Sequence, residues 1–93
     1  MEFEWNEEKR QNNLKKHGID FICAKEIWSG GIRLETIEKR KGEARLVTIG
    51  EIDGRIILVA YTWRNETRRI ISARPASRKE RKHYQDAIGR RLD

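Results

Sequence analysis

The sequence predicts a small α+β domain in the order βααββββα, with two N-terminal helices, an antiparallel sheet and one C-terminal helix. Three observations carry that reading. Capped segments with helical spacing fill the first third of the chain. Strand-like alternation broken by Asp53-Gly54 fills the middle. A capping box follows the only proline and opens a charged C-terminal segment.

Phe3 to Trp5 reads as a short edge strand. Asn6 can accept a hydrogen bond from an orphan N–H of a following helix, and Glu7 and Glu8 complement its dipole. Gly18 can close that helix after His17 in the left-handed conformation. The helix Glu7–His17 is polar, with Leu14 its only clear apolar residue. Asp20 caps a second helix in which Phe21, Ala24, Ile27 and Trp28 recur at helical spacing, so this one should pack on a sheet. Gly30-Gly31 breaks the pattern.

Ile32 to Glu38 alternates apolar and polar residues as a half-exposed strand does, and Lys39 to Gly42 is a charged turn. Ala44 to Ile52 and Arg55 to Arg64 are strands joined at Asp53-Gly54, a strong hairpin signal. The run from Ile56 to Tyr61 is apolar on both parities, which suits a central strand covered on both faces. Arg68 to Arg74 is the last strand, stopped by Pro75, which has no N–H to offer a ladder. Ser77 with Glu80 opens a final helix that runs to about Arg90.

Ninety-three residues predict a single domain over positions 1–93, burying roughly two-thirds of the surface of the unfolded chain. Only 37% of residues are hydrophobic and 39% are charged, so the expected core is thin and open to completion by a partner. One cysteine, Cys23, forms no internal disulfide and suits a reducing compartment. The acidic N-terminus does not read as a signal peptide, and no apolar run approaches the ~20 residues of a membrane span. The expectation is a cytoplasmic protein without a membrane partner.

Charge is segregated. Residues 1–62 hold eleven Lys/Arg against eleven Asp/Glu, whereas residues 63–93 hold ten against four, so the whole formal excess of +6 lies in the last third. Such a field attracts polyanions, nucleic acid foremost; a solvated basic face is the plainer reading. One cysteine and two well-separated histidines do not make a zinc site, and no glycine-rich phosphate loop is present, so neither metal nor cofactor is expected.

The chain also carries a distributed set of residues: Phe3-x-Trp5-Asn6, Lys9-Arg10, Asn13, Lys16-His17-Gly18, Phe21 and Ala24. The set resumes at Gly42-Glu43-x-Arg45, Gly50, Gly54-Arg55 and Thr62. It is densest at Arg69-Ile70-Ile71-Ser72-Ala73-Arg74, followed by Ala76, Glu80-Arg81 and Tyr84. Together these resemble the BrnT toxins of bacterial type II toxin–antitoxin systems. Asn6 stands where that family usually has Asp, and Pro75 where Lys is common. The resemblance implies a fold like the RelE-type microbial ribonucleases and RNA cleavage that arrests translation. It also implies neutralisation by a ribbon-helix-helix antitoxin of the BrnA type, through which alone the toxin would meet DNA.

Metal-free RNA cleavage needs a base for the ribose 2′-hydroxyl, an acid for the departing 5′-oxygen and cations for the charge gathering on phosphorus. Arg74 ends the last strand beside Pro75, and its planar fork suits a phosphate; it equally suits an ion pair with an acid such as Glu80. His17 titrates near neutrality and lies inside the family-like motif, but it is also a helix C-terminal residue favoured by the dipole. Tyr84 is an acid–base candidate by resemblance; a lone tyrosine at helical spacing is otherwise a core residue with its hydroxyl at the rim.

Arg64 and Arg68 flank a short turn at Asn65-Glu66-Thr67, with Arg69 next, and all three are assigned to RNA backbone contact, with Arg45 and Arg81. A three-residue loop would set Arg64 beside Arg68, a two-residue loop beside Arg69, since a one-residue slip exchanges faces. Tyr61 and Trp63 share parity with Ile57 and Val59 and read as core more than as base-stacking residues. Two other classes of function compete with the ribonuclease: a non-catalytic nucleic-acid-binding module and a scaffold domain completed by a partner.

Overall fold

The computed structural model describes residues 2–40 and 42–92. Its elements are β1 (Glu2–Glu4), α1 (Glu7–His17), α2 (Phe21–Ala24), a 3-10 turn (Lys25–Trp28), β2 (Arg33–Arg40), β3 (Glu43–Ile52), β4 (Arg55–Arg64), β5 (Thr67–Pro75) and α3 (Arg78–Leu92). Among the described residues no helix is long and apolar enough to cross a membrane. Position 41, in the expected turn between β2 and β3, lies outside the described residues.

Local chemistry sets the helix ends. The Asn6 side chain accepts from the Lys9 N–H at 3.0 Å, and Gly18, at φ 72°, returns its own N–H to the Leu14 carbonyl. Asp20 caps α2 by accepting from Ile22 N–H. The expected second helix is two pieces: four α-helical residues, then a 3-10 turn that sets Ile27 on β3. The fit there is close, since a Cβ on Gly50 would lie 2.9 Å from Ile27 Cγ1. At the other end of the chain, Ser77 and Glu80 form the reciprocal capping box of α3.

The sheet corrects an expectation. Its order is β1-β5-β4-β3-β2, and β1 runs parallel to β5, so the sheet is mixed rather than antiparallel throughout. Parallel neighbours need a long connection, and here it is the chain from residue 5 to residue 66: residues 5–32, carrying both N-terminal helices, cross from β1 to β2 at the opposite edge, and β2 to β4 lead back to β5. From β2 to β5 the chain is an antiparallel meander. Arg64 faces Thr67 across a two-residue turn, Asn65-Glu66, in which Asn65 adopts φ 58°. Farther along the same pair a β-bulge intervenes: Ala60 faces Ser72 but Tyr61 faces Ile70, leaving Ile71 as the extra residue.

Two cores sandwich the sheet. Ile57, Val59, Ile70 and Ala73 meet Phe21, Ala24 and Ile27 on the face covered by the N-terminal helices. Val47, Ile49, Leu58 and Ala60 meet Tyr84 of α3 on the other. The central strand β4 is buried from Ile57 to Tyr61, as its double-parity apolar run requires.

Among the described residues β1 pairs with β5 over Thr67, Arg68 and Arg69. Beyond it, the carboxamide of Asn13 replaces a strand. Its Nδ2 donates to the Ala73 carbonyl at 2.7 Å and to the Ile19 carbonyl at 2.9 Å, while its Oδ1 accepts from the Ala73 N–H at 3.1 Å. Ala73 is fully buried, so these backbone groups have no access to water. Replacing Asn13 by Leu should therefore orphan several of them, at about 1–3 kcal/mol per group. The expected outcome is a loss of about 2–5 kcal/mol, read as a lower urea midpoint at unchanged slope.

Candidate functional site

The β4–β5 register sorts the arginines by face. With a two-residue turn, Thr62 stands opposite Arg69 and Trp63 opposite Arg68. Arg64, Thr62 and Arg69 therefore share the α3 face, and Arg68 falls on the other. Arg69 and Arg74 are five positions apart, which in an unbroken strand would put them on opposite faces. The bulge restores them to the same one, since Arg74 pairs with Leu58 of the α3-side core.

Arg45, one position before the Leu46–Tyr61 pair, also points to the α3 face. It joins Arg64, Arg69, Thr62, Ala44, Ile71 and Lys9 around a shallow cleft of about 470 Å³. Four cations converge there. Arg69 is steadied by Glu4 of β1 at 2.9 Å. For Lys9, Arg45 and Arg64 there is no ion pair among the described residues, and Arg64 is exposed. Arg45, Arg64 and Arg69 were expected on sequence grounds. Lys9 was not, because nothing in the α1 sequence shows that the helix start lies beside β5. The neighbouring Glu43 side chain lies outside the described ones.

Arg68 departs from its expected role in RNA contact. It is 7% exposed, and its guanidinium carbon sits 4.1 Å from the ring centre of Trp28, 4.5 Å from that of Trp63 and 4.7 Å from that of Tyr61. A guanidinium can accept such burial because the aromatic faces carry partial negative charge. Tyr61 is core, whereas Trp63 is 41% exposed. On the same face Trp28 Nε1 donates to Thr48 Oγ1 at 3.0 Å, and Thr48 and Tyr61 hydroxyls both reach the Glu35 carboxylate. Burial first, then the Glu35 acceptor, raises the Tyr61 hydroxyl above its ordinary pKa.

The three catalytic candidates do not converge. The expected open fork of Arg74 is filled: Nη1 and Nη2 donate to the two Glu80 oxygens at 2.8 and 2.9 Å. A bidentate carboxylate occupies the geometry a phosphate would need, so the direct phosphate role for Arg74 is corrected to an internal ion pair. Tyr84 is 2% exposed and its hydroxyl donates to the Ile32 carbonyl at 2.9 Å; it is a core residue. His17 is half-buried at the end of α1. Desolvation, then the positive charges of Lys16 and Arg74, hold its imidazole below the usual 6.5, so at neutral pH it is poised to accept a proton. Arg81 is exposed and donates to the Ala76 carbonyl at 2.8 Å, bracing the turn into α3 outside the cleft. Among the described residues no three His, Cys, Asp or Glu side chains assemble a metal site.

Residues 5–80 match the family model described as the ribonuclease toxin, BrnT, of type II toxin–antitoxin systems. No curated protein matches the chain.

The Arg74 fork, followed by the Ser77 N–H, lowers the Glu80 carboxyl from 4.5 to about 2. Its contribution to stability is therefore complete above pH about 4.5 and lost as pH falls toward 2. Acid titration of unfolding should fall less steeply in that window for Glu80→Gln, which keeps the helix cap, than for the native chain. Parallel curves would show that the pair does not stabilise the fold.

Proposed function

The chain belongs to the BrnT family of ribonuclease toxins of type II toxin–antitoxin systems, and on that premise we propose that it is a cytoplasmic, metal-independent endoribonuclease that inhibits translation. Residues 1–93 act as one toxin domain of RelE-like fold. The family implies an antitoxin partner; we assign it to the BrnA type, a ribbon-helix-helix protein that brings the toxin to DNA only indirectly.

The observation that carries the RNA reading is the convergence of Lys9, Arg45, Arg64 and Arg69 on one cleft. Successive phosphates of a single strand need several cations a few ångströms apart, not one. Arginine forks and a lysine point charge provide that without reading sequence. Two of the four come from the first two-thirds of the chain, whose formal charge is zero, so it is folding that concentrates them.

In the proposed reaction a 2′-oxygen attacks the adjacent phosphorus as the bond to the 5′-oxygen breaks. This leaves a 2′,3′-cyclic phosphate on one product, and the departing 5′-oxygen takes a proton from solvent water to become the 5′-hydroxyl of the other. Neutral His17 is the base for the 2′-hydroxyl proton. Lys9 and His17 belong to one helix, about 12 Å apart along its axis at 1.5 Å per residue, so RNA seated in the cleft would continue along α1 to reach it. Arg74, held by Glu80, biases His17 toward its neutral form and does not bind the scissile phosphate.

Among the described residues the cleft is lined by cations with neither carboxylate nor imidazole, which favours a second reading, binding without cleavage. Incubating the purified chain with RNA in EDTA separates the two. Cyclic phosphate ends are expected, and intact RNA retained in a salt-sensitive complex would establish the second reading. Arg64→Ala and Arg45→Ala should each weaken binding and lower the log–log salt slope by about 0.7–0.9. His17→Ala should lower kcat by about 10²–10⁴-fold at little changed KM, and the rising limb of the native pH–rate profile should have its midpoint below pH 6.5. An unaltered rate in that variant would remove His17 from the mechanism.

A further inference from the structure

β2 is an edge of the sheet and offers a row of backbone N–H and C=O groups to any strand laid beside it. At its middle stands Ile37, 64% exposed, the most exposed large hydrophobic residue among the described residues. Charged residues usually protect such an edge. Here their arrangement selects a partner instead: on one face of β2, Glu35 precedes Ile37 by two positions and Lys39 follows it by two, so charge reverses sign about Ile37.

We propose that β2 pairs antiparallel with β2 of a second copy of this chain, on a two-fold axis through Ile37. An axis perpendicular to the sheet preserves faces, so paired residues have the same parity. With Ile37 on the axis, Glu35 of each copy faces Lys39 of the other, and Thr36 faces Glu38. The Glu35–Lys39 ion pair forms twice, and the two Ile37 side chains cover one another.

The neighbouring registers fail on charge. Moving the axis to Thr36 sets Arg33 against Lys39 twice. Moving it to Glu38, or to Glu35, sets a carboxylate against its own copy. Like charges directly opposite destabilise a sheet, so the charges of β2 oppose these registers and favour the one centred on Ile37.

Glu35 is prepared for this contact. Thr48 Oγ1 at 2.9 Å, Tyr61 OH at 3.0 Å and Arg33 Nε at 3.4 Å hold its carboxylate, yet 45% of the side chain remains exposed. Lys39 is exposed, with no ion pair among the described residues. One member of each pair is already ordered, which reduces what association must immobilise. The five-stranded sheet of one copy continues into that of the other. This pairing does not rest on the RNA reading, because it uses the free edge of β2, none of whose residues lines the cationic cleft.

Light scattering on the full chain, at concentrations rising to millimolar, should show mass growing from 11.1 kDa toward twice that value. Ile37→Lys and Lys39→Glu should each return it to the single-chain mass with unchanged circular dichroism, and Lys39→Arg should keep the pair. In a Cys23→Ser background, Ile37→Cys should form an interchain disulfide under oxidised glutathione. Opposed antiparallel residues lie about 4.5–5.5 Å apart at Cα, within the span of about 4.4–6.8 Å that a disulfide bridges. Ile22→Cys, also exposed but on α2, should not cross-link. A single-chain mass at every concentration overturns the proposal, as does a dimer that survives both Ile37→Lys and Lys39→Glu.

Discussion

β5 needs hydrogen-bond partners on its outer side along its whole length, and β1 provides them for three residues. The rest of the structure depends on how that deficit is met. A longer β1 would have displaced α1 from the sheet edge. Instead one carboxamide, that of Asn13, matches the donor and acceptor of buried Ala73 and reaches back to Ile19. This pins the middle of α1 to β5. Rigid helix geometry then carries the pin in both directions, placing Lys9 beside the cleft of Arg69 and His17 within the field of Arg74.

The second constraint is register. A two-residue turn and one bulged residue decide which side of the sheet receives each arginine of the last strand. Arg68 enters an aromatic cage, Arg69 joins Arg45 and Arg64, and Arg74 meets Glu80. The three residues are chemically identical, and their roles diverge through backbone geometry alone.

Formal charge and presented charge consequently differ. The excess of +6 belongs to the last third of the chain, yet folding withdraws Arg68 into the protein and neutralises Arg74. Lys9 and Arg45, from the balanced part, enter the cleft. A similar effect operates in α1, where Arg10 bridges Glu7 and the α2 cap Asp20 and so ties two helices instead of facing a ligand.

Much of the local structure was legible in the residues. Asn6 and Gly18 bound α1, Asp53-Gly54 turns a hairpin, Ser77-x-x-Glu80 starts α3, and the double-parity run of β4 is buried on both sides. Each of these depends on interactions within a few residues, which sequence spacing encodes directly. The family resemblance was legible for the same reason, since it is carried by residue identities. What only the tertiary structure decided depends on contacts distant in sequence: the parallel entry of β1, the bulge at Ile71, the cage around Arg68 and the arrival of Lys9 at the cleft. A side chain's face and partner follow from strand register and packing, and neither is written in the spacing of its own segment.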